Sequence, residues 1–153
     1  MKTAGWLTIL LLIVFRSPQI ACNAQDNSRC GHSTVEEAWG QEYASRAKLF
    51  LAEVQRAVES NDKKQFALLV QYPVRVLEGT HSTDISNATE LTRRYPMIMT
   101  SGVRRAILAQ SPSCLFANGQ GVMIGRGQIW FQQQSDGAMR IVTINLSAPD
   151  GSS

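Results

Sequence analysis

The glycine spacing in residues 115–131 constrains this chain more than any other feature. The text Leu115-Phe-Ala-Asn-Gly-Gln-Gly-Val-Met-Ile-Gly-Arg-Gly-Gln-Ile-Trp-Phe131 reads as extended structure punctuated by turns. It follows a half of the chain whose apolar residues recur at helical spacing. Helices first and sheet last imply an α+β domain. Its N-terminal helices are expected to pack on a curved, mostly antiparallel sheet and to enclose a cone-shaped cavity. Gly119, Gly121, Gly125 and Gly127 lie between strands rather than between a strand and a helix, and no Gly-Lys-Ser/Thr text accompanies them. They are therefore read as bulge and turn residues, not as a phosphate loop.

The helical half divides at its caps. A first helix is expected near Ser33 or Thr34, with Glu36 and Glu37 in its first turn. Phe50, Val54, Ala57 and Val58 form an apolar stripe broadened by Leu51, with Lys48, Glu53, Arg56 and Glu59 on other faces. Ser60-Asn-Asp62 ends that helix and caps a shorter one over 63–71. Pro73 lacks an amide hydrogen and blocks its continuation. A strand is expected over 74–78, a turn over 79–83 and a short return strand at Asp84-Ile85. Asn87, with Glu90 three residues on, has the spacing of a capping box for a helix reaching Met99, kinked or split at Pro96. A further helix over 103–110 would turn Val103, Ile107 and Leu108 inward. Strands are expected over 115–118, 120–124, 128–133 and 140–146, with Ser135-Asp-Gly137 as a hairpin turn. No repeat or interior linker interrupts this order.

The N-terminus reads as an export signal. Lys2 precedes an apolar run from Trp6 to Phe15, broken by Thr8, which is too short to span a bilayer. Cleavage after Ala24 gives a mature chain beginning at Gln25. Lipidation at Cys22 is the alternative, with Ala21 in its favour and Gln19 against it. The expected division is a signal over 1–24, a partly loose segment over 25–42, the domain over 43–147 and a disordered tail over 148–153. Lys2 and Arg16 leave with the signal, and no acidic residue does, so the formal charge falls from +3 to +1. This gives no electrostatic case for nucleic acid. Arg93-Arg94 and Arg104-Arg105 are read as solvated helix faces. Cys30 and Cys114 remain as a pair, and in an oxidising compartment such a pair is read as a disulfide. Two cysteines with two distant histidines, His32 and His81, do not make a metal site, and no cofactor is implied.

The element order, with Tyr72-Pro-Val-Arg-Val76, Asn87-Ala, Glu90-Leu91, Tyr95, Asn118, the 120–125 stretch and Ile129-Trp-Phe131, resembles the NTF2-like (cystatin-like) α+β superfamily. Within it the chain is similar to small secreted bacterial members without an assigned activity. The resemblance spans residues 43–146. Other members include isomerases, dehydratases, transport factors and oligomerisation domains, so the fold does not choose a function.

The resemblance places a ligand at the mouth and wall of the cone. Tyr72, Asn118, Gln128 and Trp130 are candidate wall residues, with Arg75 and Arg104 as candidate anchors for an anion. Each also has a structural reading: Trp130 as core or dimer packing, Asn118 as a turn residue. Catalysis needs an acid or base held inside the cavity. Glu78, His81 and Asp84 are the candidates, although a polar turn would leave them solvated. Val122, Ile124, Ile129 and Phe131 are the candidate patch for a homodimer. Asn87 and Asn145 match glycosylation acceptors, but Asn87 is better explained as a cap. The leading expectation is an exported, non-catalytic domain binding a small molecule or an envelope protein. A cavity enzyme and a dimeric assembly module are the alternatives.

Overall fold

The structure, a computed structural model, describes Cys30 and residues 33–149. The export signal, the lipidation alternative at Cys22 and His32 lie outside the described residues. Among the described residues no helix is long and apolar enough to cross a membrane.

A capping box starts the first helix, α1 (Val35–Trp39). The Glu37 amide donates to the Thr34 hydroxyl, and the Thr34 amide donates to the Glu37 carboxylate at 2.8 Å. Five residues are too few to be helical alone, so α1 is held by its neighbours. Val35 is buried and its amide donates to Leu115 O at 3.0 Å. The Cys30–Cys114 disulfide, with Cα atoms 5.2 Å apart, ties down the same corner. The segment set apart as 25–42 thus contributes α1 and the first residues of α2.

Helix α2 (Gln41–Glu59) buries Ala44, Ala47, Phe50, Leu51, Val54, Ala57 and Val58 along one face. Asp62 caps α3 (Lys63–Leu68) by accepting from the Lys64 and Gln65 amides. This helix stops short of residue 71, and β1 (Val70–Glu78) begins four residues before position 74. Pro73 does not delay the strand, because it sits in a bulge. The register of β1 against its neighbour shifts between Val70 and Arg75, so the missing amide falls where the ladder is already irregular. Strand β2 (His81–Ile85) also exceeds expectation, because Gly79, at φ 61°, lets the hairpin close over two residues.

Asn87 caps α4 (Ala88–Ile98) by accepting from the Glu90 amide at 2.9 Å. The Glu90 carboxylate reaches the Ser86 amide rather than that of Asn87. Pro96 lies inside α4 without splitting it. In α5 (Ser101–Ala109), Val103 and Ile107 are buried, but Leu108 is 39% exposed. It lies about 100° around the helix from Ile107, which turns it off the inward stripe.

A 3-10 turn at Pro112–Cys114 leads into β3 (Phe116–Asn118), β4 (Gly121–Ile124), β5 (Ile129–Gln133) and β6 (Met139–Asn145). The six strands form one sheet in the order β2-β1-β6-β5-β4-β3. Every pair is antiparallel except β1 with β6, which is parallel. The sheet is mixed and does not close. This is the expected α+β class, helices on a bulged, mostly antiparallel sheet.

The sheet faces follow from register. Ile129 and Phe131 are fully buried, and the Phe131 ring lies 4.9 Å from that of Phe50 on α2. Trp130 therefore points to the opposite face, paired with Met123 and Thr143. Val122, Ile124, Ile129 and Phe131, expected as an exposed dimer patch, are each 0% exposed. They belong to the core, because the inner face of the sheet is the face that α2 covers. At the C-terminal end Ala148 is 9% exposed, and Pro149 O accepts from Gln128 Nε2 at 3.1 Å.

Two stability measurements check this packing. Replacing Cys30 and Cys114 together by alanine is expected to cost about 4 kcal/mol in urea unfolding, from the 84-residue loop that the bond closes. Tyr95→Phe is expected to stabilise the domain by about 1 kcal/mol. Among the described residues the buried Tyr95 hydroxyl has no hydrogen-bond partner, a desolvation cost that phenylalanine does not carry.

Candidate functional site

One groove opens where the hairpin of β1 and β2 meets α4. Val76 shares the core face with Ile144 and pairs with Thr83, so Thr83 and Ile85 present their side chains on that face too. β2 is one of the two edge strands of the sheet. Helix α4 supplies Arg94, Met97 and Ile98, spaced to share one side of the helix. The space between them is about 110 Å³. Its floor is apolar: Ile85, Ile98 and Val76 are 1%, 3% and 8% exposed. Its rim is polar, formed by Glu78, His81, Thr83 and Arg94, with Leu146 and the exposed Met97 completing it.

Local structure positions the polar groups. Glu78 and His81 are direct cross-strand partners beside the turn of the hairpin. Arg94 is held on its own helix by Glu90, 3.0 Å away. Glu78, His81 and Thr83 are all exposed. Asp84, the third candidate acid, lies on the other face of β2, exposed and 3.9 Å from Arg75.

The six candidate wall and anchor residues are dispersed. Tyr72 donates its hydroxyl to Ala67 O at 2.9 Å and closes the turn from α3 into β1. Burial pushes this phenol up to about 12. Arg75 lies exposed on the outer face, opposite Asp84 and Thr143. Arg104 directs its guanidinium at Val58 O and Glu59 O, carbonyls of the last turn of α2. Asn118 accepts from the Gln120 amide at 2.8 Å within the β3–β4 turn. Gln128 is 3% exposed and bridges the Arg126 amide to Pro149 O. Trp130 is half-buried on the face of the sheet opposite to Ile129 and Phe131. None of the six lines this groove.

Gln128 also explains Gly125. A Cβ at Gly125 would lie 2.2 Å from Gln128 Oε1 and 2.8 Å from the Ala106 Cβ, and its φ is +70°. The glycine is needed both for the turn and for α5 to approach it.

A second, more open concavity of about 550 Å³ lies between the α1–α2 corner and the end of β5. Trp39 and Tyr43 meet there edge to face, with centroids 4.6 Å apart. The Gln133 amide donates to the Tyr43 hydroxyl at 3.2 Å. Burial raises the Tyr43 phenol, partly offset by that hydrogen bond and by Arg46. The signal for this site was present in the sequence, as Trp39 and Tyr43 four residues apart and the run Gln132-Gln-Gln134. It was missed because the corner was read as loose. Arg94, Met97 and Ile98 were missed because nothing in the sequence shows which face of α4 meets the hairpin.

No protein-family model matches the chain, and no curated protein matches it. Among solved structures, one described as a candidate ketosteroid isomerase from Shewanella frigidimarina NCIMB 400 overlays with a TM-score of 0.38 and 11% identity, covering 67% of this chain and 95% of that one.

The phenols give a pH prediction. Burial is the first cause raising Tyr43, Tyr72 and Tyr95; beside Tyr95, Arg104 works against the shift and Asp62 with it. A raised acid favours the neutral form in the fold, so its contribution is complete below the unfolded value of 10.0 and is lost as pH climbs through the folded value. Ultraviolet titration should show phenolate appearing late, with one phenol near 12 that is absent in Tyr72→Phe. Stability should decline above pH 10, less steeply in that variant.

Proposed function

We propose that this chain is an exported, non-catalytic binding domain that takes a small amphipathic molecule in the groove between the β1–β2 hairpin and α4. The observation that carries this reading is the juxtaposition of a buried apolar floor, Val76, Ile85 and Ile98, with a rim of Glu78, His81, Thr83 and Arg94. Pockets that combine apolar walls with a few convergent polar groups are suited to small ligands. The volume fits a short chain or single ring, with its polar end toward the rim.

Binding is favoured over turnover by the placement of the ionisable groups. General acid–base chemistry needs an acid or base held inside the cavity, within reach of the bound substrate. Glu78 and His81 stand on the exposed rim instead. One observation keeps a second reading: they face each other across the hairpin and both line the groove, as a proton-transfer pair in an enzyme would. Export is supported by the Cys30–Cys114 bond, since such bonds persist in oxidising compartments.

The test is amide chemical-shift mapping with hexanol, hexanoate and hexylamine. At least one probe is expected to shift the Val76, Thr83 and Ile98 amides saturably. Thr83→Trp, an exposed edge position, should fill the groove and weaken that probe about tenfold or more while the melting temperature holds. Shifts confined to other surfaces, or none with all three probes, would sink the proposal.

A further inference from the structure

The concavity at the α1–α2 corner differs in chemistry from the hairpin groove. Its lining is Trp39, Tyr43, Gln132, Gln133, Gln134 and Ser135, and none of these side chains is charged. With a volume of about 550 Å³ the concavity is wide and open, a shape for a ligand laid along a surface rather than enclosed. We infer that it is a binding site for a neutral saccharide, stacked on the Trp39 indole and hydrogen-bonded by the glutamine row.

The aromatic platform is pre-positioned. Trp39 ends α1 with 38% of its surface exposed, and its edge-to-face contact with Tyr43 fixes the indole. The capping box and the disulfide hold α1, and Gly40, at φ 85°, sets the corner between the helices. Large side chains in a core are ordinary, but a fixed and partly bare indole beside a polar row offers a flat apolar surface to a ligand.

Each of the three glutamines donates one side-chain N–H to a backbone carbonyl. Gln132 donates from Nε2 to Gln120 O at 3.3 Å, and Gln133 donates to Gly137 O at 3.2 Å. Gln134 donates to Gln132 O at 3.5 Å. Each amide nitrogen keeps its second N–H to donate, and the carboxamide oxygens are open acceptors: among the described residues none of the three receives a hydrogen bond. Tyr43 accepts from the Gln133 amide and keeps its own proton to donate. The site therefore asks for a ligand rich in hydroxyl donors, carrying some acceptors and an apolar face. A pyranose has all three: ring C–H groups for the indole and hydroxyls around its edge. A proline-rich peptide also stacks on aromatic grooves, but proline has no N–H to give, and the acceptor row would stay unmatched. An ionic ligand would find no counter-charge in the lining.

The test follows the Trp39 indole N–H signal in proton–nitrogen spectra while chitotetraose, cellotetraose and maltotetraose are titrated separately. At least one sugar is expected to move that signal saturably, with a Kd on the order of 1 mM, and to leave the Trp130 indole in place. Trp39→Ala, scored by the backbone signals of 132–135, should weaken binding about tenfold or more, and Trp39→Phe should retain part of it. Gln132→Ala, on an exposed side chain, should weaken binding with the Trp39 signal and the melting temperature otherwise unchanged. The inference is overturned if no sugar moves the Trp39 signal, if the Trp39→Ala protein binds as well as the parent, or if decaproline moves the signal and the sugars do not. The result is independent of the hairpin groove, whose probes read different residues.

Discussion

The parallel pairing of β1 with β6 is the constraint on which the rest of the molecule depends. A parallel pair cannot be joined by a tight turn. Here the crossover consists of everything from β2 to β5, since Val70 pairs with Ile141 and Val76 with Ile144. Closing so long a connection costs entropy, although that cost grows only slowly with length. Burial offsets it: Val74, Ile141 and Ile144 are 0% exposed, and Val70 and Val76 nearly so. The irregular register around Pro73 lets β1 follow the twist of β6 without losing this burial. With β6 occupying one edge of β1, only the other edge remains, and the short β2 hairpin takes it.

The site geometry follows from that arrangement. Helix α2 fills the inner face from the other side, with Phe50 against Phe131, so the middle of the domain is packed side chains. Concave surface remains where helices meet the edge and the end of the sheet. At the hairpin end, α4 meets the edge strand β2, which gives a groove with an ionisable rim. At the α1–α2 corner, a helix too short to stand alone projects Trp39 beside the end of β5, which gives an uncharged groove. The two differ in chemistry because one is bordered by a charged hairpin and the other by a glutamine-rich strand end.

Most elements were legible in the sequence, because their signals are local. The Phe50–Val58 stripe, the Thr34, Asp62 and Asn87 caps and the glycine turns are each decided within a few residues. What was not legible depends on long-range partners. Strand β1 runs through Pro73 because of β6. The outward direction of Trp130 depends on which face α2 covers, since alternation alone leaves two choices. Arg104 and Gln128, read as ligand groups, spend their polar atoms on α2 carbonyls and on Pro149. Both are far from those partners in sequence, so nothing local marks them.

The most direct test of this account is native-state amide hydrogen exchange along the sheet. The Ile141 amide, which donates to Leu69 O at 2.9 Å, and the β6 amides facing β1 are expected to exchange only through global unfolding. The β2 amides should open at distinctly lower free energy, because β2 is an added edge and not part of the closure. Equal protection of β2 and β6 would remove the parallel pair from its central place, and β1–β6 amides that exchange before those of β2 would contradict the account.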